Sequence, residues 1–394
     1  MSALAGHGPA RWAGLRSAIE AAMILAIGMG FGRFAFTAIY PHMVDEGVLS
    51  LHDGSLAASA NYAGYLLGAI LSMRVHARSA HTLCVWSVAG TVACLGLLAL
   101  PMPVWAIVTV RGLAGLFSAL SMVSASLWLL EHRKHGSGAP LLYAGVGIGI
   151  ALSAELLVLA THLGLHSAGM WLMLCAVTLV LGLLAAPGIV ASGEGTLDAL
   201  LKPASISQPP VAAWPLVVIY GLAGLGYIVT ATYLPVLVKL ALPDLNSAHV
   251  WAVFGLSAAP SCFLWYRAHE RYGTRKVLRL NLLLQAIGVA LPALAPSATS
   301  YILSALLVGG TFMGTATIAM PAAQRAARAM TSKVGGKLVA IMTLVYGVGQ
   351  VTGPVLAEAL YAQHHNFSSS LLAAAAALLL AIVVSLRLSS HSLY

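Results

Sequence analysis

Residues 26–41 read AIGMGFGRFAFTAIYP, an apolar stretch that with its flanks is long enough to cross a bilayer, yet carries the fixed charge of Arg33 near its middle. A guanidinium near the bilayer centre costs about 2.5–3.5 kcal/mol on insertion scales, so such a residue ordinarily faces a bundle interior or a water-filled cavity. This stretch makes the chain a membrane protein in which at least one helix lines something polar.

The rest of the chain agrees. Hydrophobic residues make up 60% of it and charged residues 8%, against roughly 25% charged in a soluble globular domain. Nothing resembles a large water-soluble catalytic domain. Cys84, Cys94, Cys175 and Cys262 all sit in apolar segments, without the paired spacings of a disulfide framework or metal site, and read as small core residues. The N-terminal twenty residues lack a signal peptide's short apolar region and cleavage site, so the first helix is expected to stay uncleaved.

Windows of about twenty mostly apolar residues recur from Ser17 to Leu388. They give twelve spans, at about 17–43, 53–73, 80–100, 102–130, 140–162, 167–187, 213–239, 247–267, 277–295, 299–324, 335–361 and 367–389. Of the 20 Lys and Arg, all except Arg33, Arg111 and Lys239 fall at the termini or in even-numbered connections. The positive-inside rule therefore predicts both termini in the cytoplasm, and makes the net charge of +9 a topology signal instead of a nucleic-acid one.

The long break at 188–212 combines Gly, Ser and Pro with Glu194 and Asp198. It reads as a cytoplasmic linker, with a short surface helix over TLDALLK, between bundles at 1–187 and 213–394. The halves look related. Setting Pro41 against Pro235 aligns GFGRFAFTAIYP with GLGYIVTATYLP, placing Gly30 on Gly224, Gly32 on Gly226 and Arg33 on Tyr227. Similarly, LYAGVGIGIALSAE (142–155) parallels LVYGVGQVTGPVLAE (344–358), each ending in Glu. Repeats six spans apart suit two bundles rocking about a central site.

Over nearly its whole length the chain resembles the major facilitator superfamily. RGLAGL (111–116) is similar to that superfamily's Arg-and-Gly motif on span four, whose arginine is associated with proton coupling. HERYGTRK (269–276) is similar to the charged loop that latches the cytoplasmic side, and the resemblance carries a gate role onto Glu270, Arg271, Gly273 and Arg275. The equivalent first-half loop, SMRVHARSAH (72–81), has lost its acid and glycine. GFGRFAFT, SANYAGYLLGA (59–69) and YGVGQVTGP (346–354) together resemble the YbfB/YjiJ branch. The resemblance implies an all-α polytopic fold of two pseudo-symmetric six-helix bundles, working as a monomer. Span five lacks the Gly-Pro pair typical of drug/proton antiporters.

Counting 1.5 Å per residue from the outer ends, Arg33 lies roughly 15 Å deep, Arg111 about 13 Å and Glu155 about 10 Å. In the superfamily's arrangement the three are placed to meet. The functional reading is a substrate and proton site, with Arg33 and Arg111 on the cargo and Glu155 and Arg111 in proton coupling. The alternative is a structural ion pair that leaves one arginine capping carbonyls. Glu20, Glu358 and Lys239 read as interfacial side chains that snorkel. The histidines lie at ends or in loops, and His132 and His135 sit among basic residues that disfavour a metal. Asn61, Tyr62, Tyr65, Tyr220, Tyr227, Tyr233, Gln285, Tyr346 and Gln350 are either cargo contacts or helix-to-helix glue. The cargo set drawn from them is Asn61, Tyr62, Tyr227, Tyr346 and Gln350. Tyr227 is favoured by its match to Arg33.

The expectation is a secondary transporter of the bacterial inner membrane. It would move a small organic solute, an anion by the balance of arginines, with the proton gradient as energy source and no cofactor. Its partners would be that solute and the lipid bilayer, with no nucleic acid. One alternative is proton-driven export of amphipathic or cationic compounds through Glu155; another is a transporter-like sensor. An enzyme is disfavoured by the lack of nucleophile, base and metal ligands at one depth.

Overall fold

The computed structural model describes residues 7–73, 75–191, 211–329 and 338–388. Arg74, Lys202, Lys333, Lys337 and residues 192–210 of the expected linker, with its TLDALLK helix, lie outside the described residues. Among those described there are twelve long helices and no strand. The first, α1, runs His7–Leu25, winds through a π-helical stretch at Ala26–Phe34 and ends in Ala35–Asp45. Then come α2 (Leu51–Ser72), α3 (Ala80–Leu98), α4 (Val104–Leu127), α5 (Ala139–His162) and α6 (Ser167–Ala191). The second set is α7 (Ala213–Ala241), α8 (Ser247–Tyr272), α9 (Thr274–Leu294), α10 (Ala298–Ala329), α11 (Leu338–His364) and α12 (Ser368–Ser385).

These helices match the twelve expected spans. Several run further, such as α10 to Ala329 instead of about 324, because a helix need not stop where the hydrocarbon does. Eleven are long and apolar enough to cross a membrane by length and composition. The exception, α2, has the length at 22 residues but carries polar groups that it spends on protein. Ser55 bonds the Tyr233 hydroxyl at 2.7 Å, Tyr62 bonds Thr232 at 2.8 Å, and Asn61 donates to the Arg111 carbonyl at 2.9 Å. Its start is fixed by a reciprocal cap, Asp53 N–H to Ser50 Oγ at 3.0 Å and Ser50 N–H to Asp53 Oδ2 at 3.1 Å.

Burial sorts the helices. The most apolar stretches of α1 and α7 are 94% and 83% buried, while those of α3 and α6 are 33% and 28% buried. So α1 and α7 stand at the centre, and α3 and α6 turn Trp86, Leu97, Leu172, Leu179, Leu183 and Leu184 outward. An exposed apolar face is at home in lipid, where helix association rests on close packing instead of hydrophobic burial. The halves meet through α2 against α11, α5 against α8 and α1 against α7. The Thr37 hydroxyl donates to the Ala231 carbonyl at 2.9 Å. The Pro41/Pro235 alignment pairs these same two positions, so this bond lies where the repeats face each other.

Small residues set the approach of α1 and α5. A Cβ on Gly30 would stand 2.4 Å from the Gly149 carbonyl carbon, and one on Gly149 would stand 2.7 Å from Ala26 Cα. Backbone meets backbone at these points, so neither side has a flexible chain to move. Overpacking of this kind costs about 1–3 kcal/mol. Gly30→Ala is expected to lower the melting temperature of the purified protein clearly, whereas Gly47→Ala, whose Cβ meets nothing within 4 Å, isolates the smaller cost of its positive φ of 68°. A Gly30→Ala protein as stable as the parent would contradict the α1–α5 contact.

Candidate functional site

The π-helical turn at Ala26–Phe34 is the origin of the site. A π turn bonds to the fifth residue instead of the fourth, which shifts the register and leaves carbonyls short of partners; such turns gather at functional sites. One side chain reaches two carbonyls of this turn. Arg111 of α4, 1% exposed, donates from Nη1 to the Gly32 carbonyl at 3.0 Å and from Nη2 to the Arg33 carbonyl at 3.1 Å. Its guanidinium also lies 4.4 Å from the centre of the Phe36 ring.

Arg33 sits differently. It is 2% exposed, and none of its three guanidinium nitrogens has a hydrogen-bond acceptor among the described residues. Its Cζ lies 4.1 Å from the centre of the Tyr65 ring, 4.9 Å from Tyr62 and 5.3 Å from Phe34. Ring faces attract a cation but accept no hydrogen bond in the guanidinium plane, so its directional donors remain unspent.

Arg33, Phe34 and Tyr65 line a cavity of about 1210 Å³. Its opposite wall comes from the second half. Tyr227 stacks on Phe312 with ring centres 5.5 Å apart and on Tyr346 at 5.9 Å, and Tyr346 stacks on Tyr220 at 4.4 Å. Gln350 donates its amide to the Tyr227 hydroxyl while its Oε1 is left without a partner. Arg33 and its repeat counterpart Tyr227 thus line the same cavity.

The cavity runs toward the face that carries the termini. It reaches Lys134 and Ser137 between α4 and α5, Tyr266 and Arg267 at the end of α8, Gln324 near the end of α10 and Val339 at the start of α11. Among the described lining residues there is no Asp or Glu. The opposite face is closed between halves by Ser55–Tyr233, Tyr62–Thr232 and Thr37–Ala231, and by ion pairs that join Asp45 to Lys239, Glu155 to His249 and Glu358 to His52.

The sequence-derived candidates therefore separate. Arg33, Tyr227, Tyr346 and Gln350 come together on the cavity wall. Arg111 stands behind it, taken up by backbone carbonyls. Asn61 binds the Arg111 carbonyl, and Tyr62 closes the face opposite the cavity mouth while its ring faces Arg33. The expected meeting of Arg33, Arg111 and Glu155 does not occur: Glu155 is half-exposed and pairs with His249 at 2.9 Å. The side chain at that position in α5 meets α8, not α1 or α4. Snorkelling is also corrected. Glu358 and Lys239 have partners across the halves, and Glu20 is buried against α6 and bound by Arg16 at 2.9 Å.

Of the expected gate, Gly273 joins α8 to α9 at φ 82°, ψ 162°, a backbone region essentially reserved for glycine. Arg271 lies over Tyr272 at 5.3 Å, and Glu270 and Arg275 are half-buried. Beside them His269 is fully buried, bonding Thr274 at 3.0 Å and Arg325 of α10 at 3.0 Å. Sequence reading left His269 at a helix end. It also passed over Phe312, Tyr143, Lys134 and Arg267 as cavity residues. The two cations were visible as loop charge; Phe312 has no polar signal at all. Among the described residues no group of three His, Cys, Asp or Glu could hold a metal.

A fold of two six-helix bundles around a central cavity defines a membrane transporter. A family profile described as "uncharacterised MFS-type transporter YbfB" matches residues 25–386, and the chain belongs to that branch of the major facilitator superfamily. It is a secondary transporter and not an enzyme. A crystal structure of a mutant of the nucleoside transporter NupG shares the fold, with a TM-score of 0.66 over 94% of this chain and 99% of that one at 12% identity. No curated protein matches the sequence.

Because Arg111 supplies donors that water cannot supply inside a bilayer, its loss should be felt as structure. Arg111→Met is expected to destabilise the protein by about 1–3 kcal/mol per carbonyl left unsatisfied, read as a drop in melting temperature in detergent. Arg111→Lys should recover part of it. A fully stable Arg111→Met protein would show that the π turn holds itself.

Proposed function

We propose that this protein carries a small organic anion across the bacterial inner membrane by alternating access, with both termini cytoplasmic and the described state open to the cytoplasm. The observation that carries this reading is the Arg33 guanidinium, buried on the cavity wall with no acceptor for any of its N–H groups. A carboxylate or phosphate satisfies such donors in the plane of the guanidinium. Lys134 and Arg267 toward the cavity mouth extend the same sign of charge, and the lack of acids among the described lining residues leaves Arg33 unopposed. The stacked Tyr220, Tyr227, Tyr346 and Phe312 supply flat apolar walls, which suit a cargo with a planar or apolar body.

A cationic cargo would meet three positive charges there, which argues against the exporter alternative. The proton gradient is the energy source in this reading. A carboxylate beside Arg33 cannot be its coupling element in the described state, since Glu155 stands at the outer rim. The orientation rests on the Lys and Arg of the even-numbered connections.

Purified protein in liposomes with an internal pH dye, offered panels of aromatic and aliphatic carboxylates, phosphates and amines, tests the reading. Uptake of one anion class is expected. In Arg33→Gln it should fall roughly tenfold to a hundredfold, as expected for a lost charge-assisted hydrogen bond, while the melting temperature holds. Amine-driven proton movement with silence toward every anion would overturn the anion assignment. Anion binding without movement across sealed vesicles would make the protein a sensor.

A further inference from the structure

The closed outer face holds two His–Glu contacts of one design. His52 Nδ1 lies 3.2 Å from Glu358 Oε1, and His249 Nδ1 lies 2.9 Å from Glu155 Oε1. Each histidine stands in the first turn of its helix, α2 or α8, and each glutamate in the last two turns of its own, α11 or α5. Glu155 and Glu358 end the two related stretches LYAGVGIGIALSAE and LVYGVGQVTGPVLAE. One pair therefore joins α2 of the first half to α11 of the second, and the other joins α8 of the second to α5 of the first. The repeat has placed the same contact twice, on both sides of the closed outer face.

We propose that these two His–Glu pairs form a pH-sensitive latch on the outer face, which protons from the outer solution tighten and so bias the transporter toward its cytoplasm-open state. His249 Nδ1 shares a hydrogen bond with Glu155 and His52 Nδ1 lies within ion-pair distance of Glu358, so a proton taken up by either ring turns a neutral imidazole beside a carboxylate into an ion pair. A carboxylate neighbour favours the protonated imidazole. Opening the outer face parts the two halves and removes that neighbour, so by linkage proton uptake favours closure. Imidazole is the side chain whose charge changes between about pH 5 and 8, so the latch tightens toward the acid end of that range and slackens toward the alkaline end.

The side chains are 60% and 32% exposed in one pair and 53% and 50% in the other. Both pairs exchange protons with the outer solution, so the latch regulates the cycle and does not carry its coupled proton. Other charges on this rim were weighed. Asp53 acts on His52 from its own first turn, and Tyr40 of α1, Tyr233 of α7 and Tyr361 of α11 surround Glu358 or the ring of Tyr40 beside it. His42 faces Glu46 and Lys239. Asp45 and Lys239 form a third cross-half pair. His162 ends α5 and His166 follows it, and Asp244 precedes α8.

Hydrogen–deuterium exchange of the full-length protein in nanodiscs, without any cargo, tests the latch. His52→Gln/His249→Gln keeps a donor facing each carboxylate but cannot take up a proton. Compared with wild type at the same pH, so that intrinsic exchange cancels, outer-end peptides around residues 48–56 and 358–366 should exchange roughly threefold to tenfold faster in the variant at pH 5.5, the small effect expected of exposed pairs. At pH 8.5 the two proteins should match. Glu155→Gln/Glu358→Gln should abolish the wild-type pH dependence from the other side. Equal exchange at pH 5.5, or the same difference at both pH values, would overturn the latch. The idea rests on the transporter reading, but its readout needs no cargo: a failure here leaves anion transport standing, and a failed cargo screen leaves the latch intact.

Discussion

Two hydrogen bonds from Arg111 to the carbonyls of Gly32 and Arg33 hold the part of the molecule on which the rest depends. A π turn in the middle of a bilayer frees carbonyls that no water reaches, and each would be costly if left bare. Arg111 answers that need at the expense of burying its own charge. The next residue along α1, Arg33, buries a second. Neither guanidinium meets a carboxylate; ring faces and carbonyl dipoles are their surroundings. Positive charge held this way is incompletely compensated, and of the two only Arg33 reaches the cavity. The structural need of the π turn occupies Arg111 and leaves the donors of Arg33 facing the cavity.

The same constraint explains the small residues. Arg111 can reach α1 backbone only if α4 and α1 pass closely, and Gly28 allows it by standing against Ser121. On its other side α1 meets α5 through Gly30 and Gly149, and α7 meets α11 through Gly221 and Gly349 in the second half. The halves then touch through Gly147 of α5 and Gly255 of α8. Helix pairs locked backbone to backbone within one half move as a unit, which is what rocking requires, whereas Gly147 and Gly255 lie on the seam between the halves. The polar contacts between units are few and lie toward one face, so parting them does not dismantle either bundle.

The sequence showed the fold clearly because a bilayer allows few solutions: apolar length gives the helices, and the placement of basic residues gives their order. Arg33 announced itself because charge in such a segment is rare. Its relation to Tyr227 came from aligning two glycine-rich stretches, and both do line one cavity. Glu155 misled because depth was read and azimuth was not. A helix turns 100° per residue, so two residues at similar depth on neighbouring helices face different partners, and its true partner, His249, lies in the other half. Arg111 takes the place of the carbonyl-capping arginine that the alternative reading left open. The motif marks the residue, but a π turn across the interface is invisible to periodicity, and that turn decides whether the guanidinium meets cargo or backbone. Phe312 carries no charge or motif, so only packing reveals it.

The two faces of the molecule are charged unlike each other, and this bears on how the cycle is biased. At the outer face opposite charges meet across the halves, Asp45 with Lys239 and the two His–Glu pairs. Toward the other face the cavity carries Arg267 from one half and Lys134 from the other, with no acid among its described lining residues. Closing that end brings like charges nearer in a narrowing, water-poor space where their repulsion grows. An anion between the halves offsets this repulsion in the inner-closed state more than in the open one, and a ligand shifts a two-state equilibrium only through such a difference. In the proposed reading the empty protein therefore rests with the face opposite the cavity mouth shut, and the charge of an anionic cargo offsets the repulsion that the opposite closure brings.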